Sequence, residues 1–349
     1  MSRLPFGDCA GGMRLILFIL RRILQLAPVL IGVSLITFVS ARLLPGDAAI
    51  LAAGPNASQE AIDELREEMK LDRPIWEQYG TYLCDLFRGN LGMSWRSRRP
   101  VTAELFARFP ASFELVTISM ALAILFGVPL GVSAAVHQGG RLDQAVRMLS
   151  VGGISIPIFW SGLMLIYVLF YLLHIAPAPI GRIGLGVSPP QHITGLYVLD
   201  SLLTLDGRAL LSSLHHLMLP AFTVSIAMMA PIVRITRSSM LDVLTEDHIR
   251  TAWASGLRSR TIYYRDALRN ALLPVITMIA GYYGYALGGE VLVEQIFSWP
   301  GMGRYSVDAI FNLDYAPVQA FVMLTAFLYI LIYTVVDILY AFIDPRVRY

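Results

Sequence analysis

Lysine is almost absent from this chain of 349 residues: Lys70 stands alone against 26 arginines. A nucleotide-binding P-loop requires G-x-x-x-x-G-K-[ST], and the run from Asp63 to Met69 that precedes Lys70 contains no glycine. The chain therefore has no P-loop, and if ATP drives its action another chain must bind the nucleotide. Cysteine is nearly as scarce. The two residues, Cys9 and Cys84, give no disulfide framework. They flank the first apolar segment, so they cannot pair if that segment crosses a membrane. Charge is thin as well: 15% of residues are charged, against about 25% in an ordinary soluble domain. No Ser-His-Asp arrangement, zinc-protease spacing or carboxylate pair placed for acid-base chemistry is present, which leaves little room for an enzyme. His215 and His216 are adjacent on one predicted helix and point about 100° apart. With no third ligand nearby they are not read as a metal site.

What the chain has in abundance is apolar surface, at 56% of residues and a mean hydropathy of +0.62. A soluble fold of this composition would leave large apolar patches in water, so the excess must face lipid. The same figures exclude a disordered chain and a collagen. The fold class read from this is an all-α polytopic membrane protein. Each crossing needs about 20 residues, and six candidate segments are present. The first lies in 23–44, behind Arg14, Arg21 and Arg22. It leads into Ala41-Arg42-Leu43-Leu44-Pro45 and lacks a small-x-small cleavage site, so it reads as a retained span. Met13 is an alternative start, because residues 1–12 add nothing periodic. The others lie near 112–136, 148–173, 213–233, 270–293 and 317–341. Prolines interrupt several of them, which membrane helices tolerate. The fourth, short and opening on the histidine pair, is the weakest.

Arginine in the short loops sets the expected orientation. With the N-terminus inside, the inner segments hold Arg141, Arg147, the seven arginines from Arg234 to Arg269, Arg346 and Arg348. The outer short loops hold only Arg182, Arg208 and Arg304. Both termini are therefore expected in the cytoplasm, as segments 1–22 and 342–349. The 45–111 insert falls outside and is expected to form a small helical domain. Ser58 is placed to cap a helix running to Lys70, and Pro74 to open a second. Trp76, Tyr79, Leu83, Leu86 and Phe87 share a helical face there, suited to packing on the spans.

The inner loop 234–269 is the most informative stretch. Thr245 is a plausible helix cap, Glu246 and Asp247 suit the first turn, and Gly256 suits the end. Ile249, Ala252 and Trp253 then give a short helix one apolar face. A second helix is expected from Ser259, with Tyr264, Leu268 and Leu272 on one ridge. Pattern alone leaves two readings of the short helix: it lies in the lipid interface, or it docks into a groove on a cytoplasmic protein.

Residues 250–274 resemble the EAA loop of ABC importer membrane subunits, whose pattern is E-A-A-x3-G-x9-I-x-L-P. Ala252, Gly256 and Leu268 occupy three of its positions. Arg250, Thr251, Asp266 and Arg269 depart from it in the manner of the dipeptide and oligopeptide branch, R-T-A-x-A-x-G-L and A-L-x-N-A-L-x-P. Further stretches are similar to the same branch: Leu44-Pro45-Gly46-Asp47, Gly89-Asn90-Leu91-Gly92-Met93-Ser94, the run from Glu294 to Gly303, and Asp344-Pro345-Arg346. Together they cover most of the chain in order. The resemblance implies an inner-membrane permease within 112–341, without catalytic residues of its own. Its expected partners are a second homologous permease, two ABC ATPases that bind ATP and Mg, and a periplasmic or lipid-anchored substrate-binding protein. Its expected cargo is a dipeptide or short oligopeptide, with a nickel chelate, glutathione or another small solute as runner-up. No nucleic acid is implied. Arg250, Thr251, Ala252, Trp253, Gly256 and Leu268 become the expected ATPase-coupling residues. The rival from another class is a self-sufficient secondary transporter, which would be expected to show internal repeats and a buried charged relay; neither is evident.

Polar groups inside spans mark candidate pathways. Glu290 and Glu294 stand one turn apart near the outer end of the fifth span. Glu294 is expected to serve a structural hydrogen bond, and Glu290 either to receive an ammonium or guanidinium group or to be hydrated. Ser155, Ser161, Asn270 and Thr277 are small polar candidates whose simplest role is bonding to a local helical carbonyl. Trp299-Pro300-Gly301 is expected to form a stiff outer turn, acting as gate, receptor contact or bilayer anchor.

Overall fold

The computed structural model describes residues 24, 27–40, 42, 48–54 and 57–343. Cys9, Met13, Leu44–Asp47, Asp344–Arg346 and Arg348 lie outside the described residues. Among the described residues every regular element is a helix, apart from one isolated bridge between Met93 and Pro100. It divides into two compact units, one of residues 1–105 with 306–349 and one of 106–305.

The first unit contains α1 (Ala27–Ser40), α2 (Ala48–Ala53), α3 (Gln59–Glu68), α4 (Ile75–Phe87) and α15 (Tyr315–Ile343). Ser58 caps α3, its hydroxyl accepting from the Ala61 N–H at 3.3 Å. Pro74 sits one position earlier than expected, at the N-cap of α4, where its fixed φ of −54° and missing N–H are harmless. Only part of the expected α4 face is covered. Tyr79 bonds Ser34 at 3.0 Å and packs with Tyr82 around Phe38, whereas Trp76 and Phe87 remain 72% and 82% exposed. The helical angle separates these two from Tyr79 enough that one neighbour cannot cover all three. The Gly89–Ser94 stretch is tied down by Ser94, which bonds the Asp314 carboxylate at 2.5 Å.

The second unit is built around α9 (Gly207–Leu244), against which α6 (Arg141–Ser155), α7 (Ile158–Leu165), α8 (Tyr197–Leu203), α12 (Leu268–Gly289) and α13 (Val291–Ile296) pack. The segment expected to be weakest is thus the central element: 72% of its apolar stretch is buried, against 33% for the span ending in α12. Its length of 38 residues comes from polar turns at both ends that hydropathy alone does not register. The helix α5 (Val101–Val136) also starts well before its apolar segment. Gly131 brings α5 onto α9, since a Cβ there would press Thr236 at 2.6 Å.

The expected third span is bent. Pro157 cannot continue α6, and it holds Ile156 extended at ψ 124°. The two helical pieces meet at 102°, and the second loosens into a π-helical turn over Ile166–Leu172. Four helices among the described residues are long and apolar enough to cross a membrane, or five with the bent pair as one span; α1 is a shorter apolar helix. The fifth expected segment ends early, at Gly289, where Glu290 (φ −81°, ψ 26°) breaks the helix before α13.

Candidate functional site

The loop after α9 folds back as α10 (Asp247–Ala254) and α11 (Ser259–Thr261), then a π-helical turn over Ile262–Ala267 that feeds α12. Thr245 does not cap α10. It ends α9, donating to the Asp242 carbonyl at 2.7 Å, and Glu246 takes the N-cap position without a side-chain bond. At the other end the expectation for Gly256 holds. It lies at φ +71°, its N–H reaches the Trp253 carbonyl at 3.1 Å, and the Leu257 N–H reaches Ala252 at 3.4 Å. This is the double closure of a Schellman turn, and a left-handed residue is required at its hinge. Glycine meets that requirement without strain.

The short helix is anchored by one side chain. Ile249 is fully buried among Val132 and Ala135 of α5, Met240 and Val243 of α9, and Ile262, Ala267 and Ala271. Ala252 and Leu268 pack at the edge of the same cluster. Burying an Ile side chain stabilises by about 1.5–3 kcal/mol, so α10 is held to the ends of three membrane helices. Its other face is uncovered. Arg250 is exposed and pairs with Asp247 at 3.1 Å; the Thr251 hydroxyl donates to the Asp247 carbonyl at 3.0 Å. Trp253 stands edge-on to Tyr263, ring centres 5.8 Å apart, and stays 44% exposed. With Leu257 and Tyr264, also nearly half exposed, it forms an apolar rim around the Gly256 turn.

Asn270 belongs with this loop. Its amide lies 3.1 Å from His248 Nε2, and His248 Nδ1 lies 3.0 Å from Glu246. Ser155, Ser161 and Thr277 each donate to a carbonyl in their own helix, at 2.9, 2.7 and 3.1 Å, with Ser155 and Thr277 exposed. His215 and His216 turn toward separate carbonyls, those of Ile175 and Ser212.

Glu294 is 3% exposed, and its carboxylate accepts from the Ser112 hydroxyl and, at 2.9 Å, from the Arg304 N–H. Ser112 in turn accepts from the Met302 N–H at 2.8 Å. Glu294 therefore satisfies the first amides of α14 (Met302–Phe311). Trp299, expected at an outer surface, is 1% exposed, and its indole donates to the Ala111 carbonyl at 2.9 Å. Its indole presents no surface to a receptor; Pro300 is the exposed member of the turn and Gly301 is buried. Glu290 is only partly covered; its backbone bonds Ala286 and Glu294, while its carboxylate has no hydrogen-bond or ion-pair partner among the described residues.

Two buried ion pairs escaped the sequence reading. Asp143, with a side chain 1% exposed, receives Arg237 in a forked contact at 2.5 and 2.9 Å and the Gly139 N–H at 2.9 Å. Glu114 receives Arg182 at 2.6 Å and the Val198 N–H at 2.7 Å, while the Arg182 guanidinium lies 3.7 Å over Tyr197. Each charge sits at the margin of an apolar segment, and that was the available signal.

Similarity to known proteins agrees with this architecture. Residues 127–349 match the binding-protein-dependent transport system inner membrane component, and residues 15–117 its N-terminal membrane-component part. The chain is 44% identical to the probable D,D-dipeptide transport system permease protein DdpB of Escherichia coli (strain K12), over 91% of this chain and 94% of that protein. It is 40% identical to the dipeptide transport system permease protein DppB of the same organism, over 95% and 98%. It is 42% identical to the di/tripeptide transport system permease protein DppB of Pseudomonas aeruginosa (strain UCBPP-PA14), again over 95% and 98%. The chain belongs to the family of binding-protein-dependent transport system inner membrane components. It is a multi-pass membrane permease of the ABC importer class and not in itself an enzyme.

Proposed function

We propose that this permease forms, with a second homologous permease, the passage for dipeptides or short oligopeptides across the inner membrane. Six spans then place both termini in the cytoplasm and the 45–111 insert outside. Two ATPase chains, holding ATP and Mg, bind from the cytoplasm, and a periplasmic or lipid-anchored binding protein delivers the cargo. The dipeptide assignment rests on the relatives at 40–44% identity.

The observation that carries the coupling role is the two-sided character of α10. Ile249 fastens it to α5, α9 and α12, while Trp253, Leu257 and Tyr264 face away uncovered. A helix resting only on lipid would not need a buried anchor shared by three membrane helices. A helix gripped by a motor does, because force applied at Trp253 must reach the spans. Movement of the ATPases then biases the permease between two states. Arg250 and Thr251 lie on the exposed surface that meets the ATPase; Ala252, Gly256 and Leu268 keep the handle stiff.

The test is Trp253→Asp in a reconstituted complex. The substitution leaves Ile249 and the Gly256 turn in place, so α10 should still fold. Hydrolysis of ATP stimulated by the loaded binding protein should fall severalfold, and uptake with it. Stimulation at the unmodified level would remove this loop from the coupling role.

A further inference from the structure

A cleft of about 590 Å³ lies wholly within the first unit. It opens beside the end of α1 and the start of α15, where Phe38, Arg42 and Gln319 line it, and it is roofed by α3 and α4. Four cations reach it, Arg42, Arg66, Lys70 and Arg73, against two carboxylates, Asp85 and Asp314. Asp314 is already engaged by Ser94 and by the Arg96 N–H. Arg66 is paired with Asp63 and Arg73 lies 3.9 Å from Glu77, whereas no carboxylate pairs with Lys70 or Arg42 among the described residues. Tyr82 and Trp95 complete the wall.

Lys70 is set there at a conformational cost. It follows Met69, the C-cap of α3, at φ +55°, and the N–H groups of Lys70 and Leu71 close on the carbonyls of Glu67 and Arg66. Glycine is the usual occupant of such a hinge. A side chain in the left-handed region is strained, and here the only lysine of the chain bears that strain.

A second cleft fixes the depth of the first. It measures about 410 Å³ and lies further along α1 and α15, lined by Ala27, Leu30, Ile31 and Ser34 of α1, Met323, Leu324 and Phe327 of α15, the opposite side of α4 at Leu83, Leu86 and Phe87, and Leu91. Apart from Ser34 its lining is apolar, so it suits hydrocarbon. The basic cleft, nearer the helix ends, then falls at the level of the headgroups, where arginine, lysine and tryptophan are favoured.

We infer that the basic cleft holds the phosphate of an anionic membrane lipid. Lys70 and Arg42 supply charge that no described carboxylate pairs, Arg73 a further donor, and the aromatic wall the contact with the glycerol region. Such a lipid fastens the insert to α1 and α15 from the bilayer side. A soluble phosphate ester shares the headgroup chemistry but gains nothing from that depth.

Native mass spectrometry of the full-length chain in mild detergent separates these sources. The probes are phosphatidylglycerol, phosphatidylcholine and glycerol 3-phosphate. The unmodified chain should retain phosphatidylglycerol in preference to the other two. Each interfacial cation contributes enough to change retention about fivefold, so K70G with R73Q should lower it by more than about tenfold. K70G relieves the strained hinge, so its thermal stability without added lipid should not fall, and lost retention cannot be ascribed to unfolding. R42Q provides an independent second variant with the same expected direction. Equal retention by the unmodified and substituted chains would overturn the inference. So would equal binding of glycerol 3-phosphate, or a cleft that takes up a dipeptide while rejecting the lipid.

Discussion

The backbone of Gly301 lies flat against the carboxylate of Glu294, so that a methyl group built on Gly301 would overlap both of its oxygens. Glu294 cannot retreat, because it is buried and held by Ser112 and the Arg304 N–H. G301A should therefore dislodge the carboxylate and strand the first amides of α14. Unsatisfied buried groups cost about 1–3 kcal/mol each, so the detergent-purified chain should melt several degrees lower. P300A, at the exposed position of the same turn, should melt with the unmodified chain. Equal melting of all three would mean that the contact carries no stability.

The Asp143–Arg237 pair predicts an asymmetry. Asp143 has a side chain 1% exposed and Arg237 one 20% exposed. Removing Arg237 leaves the buried carboxylate to the Gly139 N–H and to Arg147, 3.6 Å away and half exposed, so the loss should approach without reaching the about 3–5 kcal/mol typical of a stranded charge. Removing the charge of Asp143 leaves an arginine that can reach water. R237M should thus destabilise the chain much more than D143N, and the double variant should recover part of the loss. Additive effects would show that the two groups do not act as a pair.

How far the sequence spoke depended on whether the physics was local. Gly256 was legible because a Schellman hinge demands a left-handed residue within a few positions of the helix it ends. Ser58, Ser155, Ser161 and Thr277 were legible for a similar reason: their partners lie within one turn. Trp299 was not. Tryptophan, proline and glycine announce a turn, but the side that faces inward is decided by the Ala111 carbonyl, 188 positions away in the chain. Asn270, expected to bond a carbonyl of its own helix, instead meets His248, 22 positions away. The bend at Pro157 falls between these cases, since proline marks a break without giving its angle.

Asp200 makes the loop before α9 sensitive to acid. Burial by itself would raise its pKa, but bonds from the Thr194 hydroxyl and from the Thr194, Ile193 and Gly195 N–H groups outweigh it and hold the carboxyl below its usual value. A depressed carboxylate stabilises the fold above its unfolded pKa, near 4, and loses that contribution as pH falls through the lower folded value. Protection of residues 193–200 against hydrogen exchange, relative to the intrinsic rate at each pH, should therefore be high at neutral pH and fall below about pH 4. D200N should remove that step and exchange faster at pH 7. An unchanged acid profile in D200N would assign the transition to another group.

Glu290 occupies the break between α12 and α13 and carries a carboxylate that no neighbouring cation neutralises among the described residues. Glu294, one turn on, has its bonds fully used within the protein, so the two acids divide into a structural group and an open one. If the open one receives the ammonium group of a peptide in transit, E290Q replaces a charge-assisted bond worth about 1.5–3 kcal/mol with a weaker neutral one. The difference is about 1–1.5 kcal/mol, so uptake of a labelled dipeptide should then fall roughly fivefold to tenfold, while the permease still co-purifies with its partners. An N-acetylated dipeptide, which lacks the ammonium, gives a second readout. It should be a poor substrate for the unmodified transporter, and E290Q should lower its uptake no further. Unmodified uptake by a fully assembled E290Q complex would take Glu290 out of the pathway.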